Sequence, residues 1–284
     1  MKFLYLRLWD IRHLQWKFIP ESYGNTITNH IYSISIVTYV DRYDLFFKTL
    51  IKSLITIFPD TEIVVAINGY FDERVQLKYL HDVHQYLNTF KNVKTVHFVE
   101  PQSLSKLWNL LIINSASPNI FILNDDVKML PGFRGGLERS GILQEQIGLI
   151  NRSWSHFYIS KSIVKKIGWF DERFPGVGNE DEDYECRLVL RDIVVKNFTV
   201  SGLRNMVYLT KNFSYGNAHQ VINKKYIKNN KDFFNKKWNF STTYKPSYKF
   251  VKILDGYVEL VQDMETPDFY ELTLLDYAHK EIIR

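Results

Sequence analysis

Two acidic stretches, far apart in a chain of 284 residues, hold the residue types that could do chemistry. The first is Asn124-Asp125-Asp126, within FILNDDVKML over residues 120–129. An apolar run climbs to two adjacent carboxylates and then turns apolar again. Asn and Asp both favour turns, so one reading is a solvated turn that ends a strand. The other is a hard divalent cation held by carboxylate oxygen, with room left for a diphosphate. The second stretch is Gly178-Asn179-Glu180-Asp181-Glu182-Asp183. Its consecutive carboxylates repel one another, yet they suit a helix start with Asn179 as cap and acids at the positive end of the dipole. Gly176, Gly178, Trp169, Phe170 and Phe174 crowd this stretch, a setting that a merely solvated helix start does not need. A carboxylate there could serve as general base towards an attacking hydroxyl. His219, in YGNAHQ, reads either as an ordinary structural or surface histidine or as a late metal ligand.

The elements that must position these residues follow a regular order. IYSISIVTYV (31–40) is a β-branched run suited to a buried strand. DRYDLFFKTLIKSLITIF places Leu45, Phe46, Thr49, Leu50, Ser53, Leu54 and Ile57 at helical spacing, stopped by Pro59 and Asp60. TEIVVAIN (61–68) reads as a strand, 72–90 as a helix and NVKTVHFVE (92–100) as a strand. SLSKLWNLLIINSA (103–116) is a helix capped by Ser103, and PNIFILN (118–124) is the next strand. Repeated strand-helix-strand units build a parallel sheet covered by helices on both faces, and ligands of such sheets sit beyond the carboxyl ends of the strands. Asp125 and Asp126 fall at one such end. Further on, GGLERSGILQEQ reads as a helix, IGLINRSWSHFYIS as two short strands, KSIVKKIGWF as a helix ended by Gly168, and 193–200 as a strand. The basic, aromatic segment 223–238 is helical. Residues 1–30 read as a strand and loop packed on the main body, and 239–284 as a tail with only a weak pattern.

The length suits one large α/β domain or two small ones. Hydrophobic residues make up 45%, an ordinary globular share, and the net charge of +5 favours anionic partners without choosing among nucleotides, nucleic acid and acidic lipid. Cys186 is the only cysteine, which excludes a disulfide framework or a cysteine-based zinc site within one chain. The expectation is a reducing, cytoplasmic setting, at most peripheral to a membrane. The charged N-terminus makes a poor signal peptide, and no apolar run reaches the ~18–20 residues of a spanning helix.

FILNDDVKML resembles the strand-plus-Asp motif of glycosyltransferases of the GT-A fold. KKIGWFDERFPGVGNEDEDYECRL resembles the Gly-x-Phe-Asp-Glu-x-Phe, Glu-Asp-x-Asp and Arg signature of glycosyltransferase family 2. SISIVTYVDRYDLFFKTLIKSL is similar to that family's first strand and helix, and SLSKLWNLLI to its segment whose Asn follows Trp or Ala. The match spans residues 31–240. It implies a Rossmann-like α/β fold with a mixed, mainly parallel sheet flanked by helices. Residues 1–240 would form the catalytic domain, with 31–130 as its nucleotide-sugar half and 131–240 as its acceptor half. Residues 241–284 would be a helical or irregular extension. The resemblance also implies roles. Thr38, Tyr39 and Asp41 line the nucleotide pocket, Asn109 lies near the donor, and Asp125 holds the sugar or a metal-bound water. Asp126 binds Mg²⁺ or Mn²⁺ with His219. Asp181 is the base, supported by Glu180 and Asp183, and Trp169 and Phe170 flank the acceptor. Asn68 stands where the family often has an Asp that bonds the base, so the base stays open. Asn124 replaces the first Asp of a full Asp-x-Asp, which implies a weaker metal site.

The residue types suit such a transfer: a cation and basic groups neutralise a departing diphosphate while a distant carboxylate takes the acceptor's proton. The implied partners are a nucleotide-sugar donor and a bacterial surface or lipid-linked glycan. An acceptor in phage DNA is the variant motivated by the basic aromatic segment 224–238. A nucleotidyltransferase would need a Gly-rich loop after the first strand, and TYVDRYDLF has no glycine. A non-catalytic sugar-nucleotide-binding module is the remaining class.

Overall fold

The computed structural model describes residues 31–206, 217–238 and 282–283, with backbone alone at 217–225 and 282–283. The expectations for 1–30 and for the tail, 282–283 apart, lie outside the described residues.

Four strands open the described chain: β1 (Ser33–Thr38), β2 (Ile63–Ile67), β3 (Val93–His97) and β4 (Asn119–Asn124), each parallel to its neighbours among them. A 3-10 turn (Val40–Arg42), a π turn (Tyr43–Phe47) and α1 (Lys48–Ile57) link β1 to β2, while α2 (Glu73–Leu87) and α3 (Leu104–Asn114) follow β2 and β3. The apolar runs form strands because both faces are covered. In β2, Ile63, Val65 and Ile67 enter one core, and Val64 and Ala66 enter the other. α1 packs Leu50, Ile51, Leu54 and Ile57 into the first core at the three-to-four spacing of one helix face. α3 covers the second core with Leu107, Trp108, Leu110, Leu111 and Ile112. The Asp72 carboxylate caps α2 by accepting from Arg74 and Val75, and the Ser103 hydroxyl caps α3 by accepting from Lys106.

Beyond β4 the chain forms β5 (Val127–Met129), α4 (Phe133–Ser140), β6 (Ile147–Ile150), β7 (Ser153–Ser160), α5 (Lys161–Ile167), α6 (Glu180–Val189), β8 (Lys196–Phe198), β9 (Leu203–Asn205), α7 (Asn217–Trp238) and β10 (Ile282–Ile283). The main sheet runs β10-β3-β2-β1-β4-β7-β6-β8, with β7 antiparallel to β4 and β6 and β10 antiparallel to β3. β5 and β9 pair separately. This is the mixed, mainly parallel α/β sheet with helices on both faces.

Three local readings change. The helix expected over GGLERSGILQEQ breaks at Gly141, whose φ of +76 ends α4 and starts a 3-10 turn at Ile142–Gln144. The strand expected over 193–200 shrinks to β8, because only Lys196–Phe198 meets β6 and Val194 is exposed. Asn179 occupies the cap position of α6 at φ +67 but accepts no helix N–H; its amide donates to the Glu182 carboxylate instead.

The register fixes the site. Val37 lies opposite Asn124 and Thr38 opposite Ile67, so the carboxyl ends of β1, β2 and β4 finish level with one another.

Candidate active site

A cavity of about 890 Å³ opens at that edge, walled by Tyr39 and Arg42 after β1, Asn68, Tyr70 and Phe71 after β2, and residues 100–104, Lys106 and Leu107 before and within α3. Asn124 and Asp125 lie at its β4 side, while Glu172, Pro175, Gly176 and Val177 close it from the loop before α6, with Tyr226 and Ile227 of α7. Its position matches the ligand crevice of open parallel sheets.

Asp125 and Asp126 form the turn between β4 and β5, and the Met206 N–H donates to the Asp126 carbonyl at 2.7 Å. Both side chains are buried. Asp125 accepts from the Thr38 hydroxyl and from Arg42 Nη1, each at 2.7 Å. Burial lifts its carboxyl, and Arg42 only partly offsets this, leaving it at about 6. Arg42 Nη1 also stands 3.3 Å from Asp126 Oδ2. Burial opposes the Arg42 charge, but the two carboxylates outweigh it and hold the guanidinium protonated. Its Nε donates to the Tyr39 hydroxyl at 3.0 Å. Asp126 Oδ1 is buried and has no hydrogen-bond partner among the described residues. An unpartnered buried carboxylate oxygen fits a hard divalent cation. No group of three or more His, Cys, Asp or Glu is arranged for a metal among the described residues, so the remaining ligands would come from water and substrate. His219 lies in the first turn of α7, and its side chain is outside the described residues.

The structure thus brings Thr38, Tyr39, Asn68 and Asp125 together, with Asp126 beside them. Asp41 is half-buried near Tyr70, whose hydroxyl is raised first by burial and then by that carboxylate. Asn68 joins two walls of the cavity: its Oδ1 accepts from the N–H of Gly69 (2.9 Å) and of Gln102 (2.8 Å). Asn109 is fully buried and is no wall residue. It accepts from the Phe170 N–H and donates to the Phe170 carbonyl, each at 2.9 Å, and to Glu172 Oε1 at 3.0 Å. It therefore acts on the cavity through Glu172, whose carboxyl burial raises while Asn109 and Lys106 oppose the rise.

The acidic helix start divides by role. Glu180 is buried, accepts from the Gly178 N–H, and is lifted to about 8 by burial and then by Asp181. Asp181 is half-buried and raised by burial. Neither is among the residues that wall the cavity. Asp183 turns inward: Lys237 and Trp238 Nε1 donate to one of its oxygens, and Arg187 Nε donates to the other at 3.2 Å. Its oxygens are committed to packing α7 on α6, which corrects the support expected of it beside the base. Trp169 and Phe170 also face inward. Phe170 stacks on Tyr184 with ring centres 4.2 Å apart in the second core, so it offers no face to an acceptor. Arg42, Lys106 and Glu172 are wall residues that the sequence reading passed over.

No protein-family model matches the chain, and no curated protein matches it. Among solved structures it is similar to the crystal structure of S. aureus TarS, at 15% identity and a TM-score of 0.44 over 60% of this chain and 35% of that one. It is also similar to S. aureus TarS 1-349, at 13% identity and a TM-score of 0.43 over 60% of this chain and 58% of that one. Both matches span less than two thirds of the TarS chain concerned.

Proposed function

We propose that the protein is a glycosyltransferase that moves a sugar from a nucleotide-sugar donor to an acceptor hydroxyl with inversion. The observation that carries this is the buried Asp125, at the carboxyl ends of β1, β2 and β4, lining a cavity large enough for a sugar nucleotide, with Asp126 next to it in the same turn. Tyr39, Tyr70 and Phe71 give that cavity flat faces for a base, and Arg42 and Lys106 give it positive charge for a diphosphate.

Asp126, through its unpartnered Oδ1, would hold Mg²⁺ or Mn²⁺, and such an ion supplies charge neutralisation for a leaving diphosphate. Thr38 and Arg42 fix Asp125 so that it presents one orientation to the cavity. Asn109 fixes Glu172 on the opposite wall, where a carboxylate can accept from sugar hydroxyls. The base is assigned to Asp181, whose carboxyl burial shifts towards neutrality, the direction that proton abstraction near pH 7 favours. Glu180, held by the Gly178 N–H, supports it. A carbohydrate chain, free or lipid-linked, is the acceptor class this reading favours. Among the described residues no helix is long and apolar enough to cross a membrane.

A thermal-shift screen of UDP-, GDP-, CDP- and dTDP-sugars with and without Mn²⁺ tests the donor site, since a ligand that binds only the folded form raises the melting temperature. At least one sugar nucleotide should stabilise the protein, and Asp126→Asn should abolish the metal-dependent part. A stabilising donor that Asp181→Asn turns over at the wild-type rate would remove the base assignment. No stabilisation by any donor would remove the whole reading.

A further inference from the structure

We propose that Arg42 is a built-in counter-ion of the Asp125–Asp126 pair, and that it holds the affinity of this site for a divalent cation down. The inference rests on the reading of Asp126 as a cation ligand.

Arg42 closes the short turn after β1, and Tyr39 braces it twice: the hydroxyl accepts from Nε, and the ring centre lies 5.1 Å from the guanidinium carbon. So held, Nη1 reaches Asp125 at 2.7 Å and Asp126 Oδ2 at 3.3 Å. The three side chains keep only 12%, 1% and 7% of their surface exposed, so water screens them little. A single guanidinium shared by two carboxylates leaves the pair one net negative charge. It also leaves Asp126 Oδ1 as the buried oxygen without a hydrogen-bond partner among the described residues.

A cation at Oδ1 would therefore sit against a carboxylate whose other oxygen already faces a positive group. Like charges a few ångströms apart in a poorly screened site repel, so cation and guanidinium compete for the same negative charge. Asp125 is a poorer second ligand than a free carboxylate, because Arg42 and Thr38 each already donate to one of its oxygens. Removing the guanidinium would lift the repulsion and free a second carboxylate. A residue that merely supported the fold here would act the other way, since its loss would loosen the turn and weaken binding. The sign of the change separates the two roles. Arg42 also faces the cavity, so an incoming diphosphate would meet the same guanidinium and give it another anion to pair with.

The test is titration of Mn²⁺ alone, followed by calorimetry and by the electron paramagnetic resonance signal of free Mn²⁺, on the full chain. The set is wild type, Arg42→Gln, Arg42→Lys, Asp126→Asn and the double variant Arg42→Gln/Asp126→Asn. Arg42→Gln should bind Mn²⁺ roughly tenfold or more tighter than wild type. Arg42→Lys keeps the positive charge but loses the Nε bond to Tyr39 that aims it at both carboxylates, so it should fall between them. Asp126→Asn should remove the binding in either background. If Arg42→Gln does not fold, the shift in Arg42→Lys decides the matter. Wild-type binding that Asp126→Asn removes, with the Arg42 variants binding no tighter, would overturn the role of Arg42 and leave the metal site standing. No Mn²⁺ binding by any variant at millimolar concentration would overturn both.

Discussion

The Thr38 hydroxyl donates to Asp125 Oδ2 at 2.7 Å, tying the carboxyl end of β1 to the turn that follows β4. Both residues are fully buried, so neither group has water to fall back on. Thr38→Val keeps the side-chain shape and removes the donor. The expected cost is about 1.5–3 kcal/mol, the range for a buried hydrogen bond to a charged group. Thr38→Ser should recover most of it. Urea unfolding at pH 7 measures both, and equal midpoints for wild type and Thr38→Val would show that the bond contributes nothing.

Lys237 makes the second buried junction. Its ammonium lies between Asp171, at 3.0 Å, and Asp183, joining α7 to α6 and to the loop before it. Lys237→Met removes the cation shared by the two carboxylates and leaves each only its own arginine, Arg173 for Asp171 and Arg187 for Asp183, so the cost should sit at the low end for a broken buried pair, ~3 kcal/mol. Pairing that change with Asp183→Asn should restore part of the loss, because one of the stranded charges disappears. The readout is the urea midpoint of the single and double variants. Strictly additive losses would deny the coupling.

Glu180 should make stability depend on pH. Its carboxyl is raised from an ordinary 4.5 to about 8, so the folded chain holds a proton that the unfolded chain gives up across that interval. Stability contributed by this group is therefore complete below pH 4.5 and is lost as pH climbs through 8. Glu180→Gln cannot titrate and still accepts from the Gly178 N–H. Moving from pH 5 to pH 8 should therefore destabilise wild type relative to Glu180→Gln by ~3 kcal/mol. Thermal unfolding at the two pH values checks it, and parallel curves would remove the shift.

The central sheet is legible in the sequence because β2 and β4 are buried on both faces and so read as unbroken apolar runs. The antiparallel partners are less so: nothing in SWSHFYIS says that it pairs with β4 on one side and β6 on the other. Asp125 was visible because carboxylates at a strand end are unusual. Arg42 was not, because its partner lies 83 positions away and an Arg in VDRYD looks like any solvated charge. Glu172 and Phe170 share the stretch FDERF, where sequence resemblance points to the aromatic as the ligand contact; the folded loop buries the ring and turns the carboxylate to the cavity. Four acids in a row gave no sign that Glu180 and Asp183 are the buried ones and that Asp183 meets α7, since helical phase decides that against a partner helix distant in sequence.

Gly69 carries a last expectation, about the shape of the cavity rather than its charge. A Cβ at Gly69 would fall 2.1 Å from the Glu100 carbonyl group, a backbone contact that cannot turn aside. The same approach lets the Asn68 side chain accept from Gly69 and from Gln102 at once and so join the loops after β2 and β3. Gly69→Ala should force the loops apart and break the Gln102 bond. Wall residues from both loops, Asn68 and Tyr70 on one side and Gln102 and Ser103 on the other, would then lose their spacing. Fold stability should drop by ~1–3 kcal/mol, the range for overpacking at a close contact. Binding of whichever sugar nucleotide stabilises wild type should weaken by roughly tenfold or more, since an ångström of misplacement is costly in a preorganised site. Hydrogen exchange provides the structural check: the Gln102 amide should lose protection in Gly69→Ala while the amides of β1 keep theirs. Unchanged protection at Gln102 would mean that the loops absorb the methyl group and that the pinch does not set the cavity.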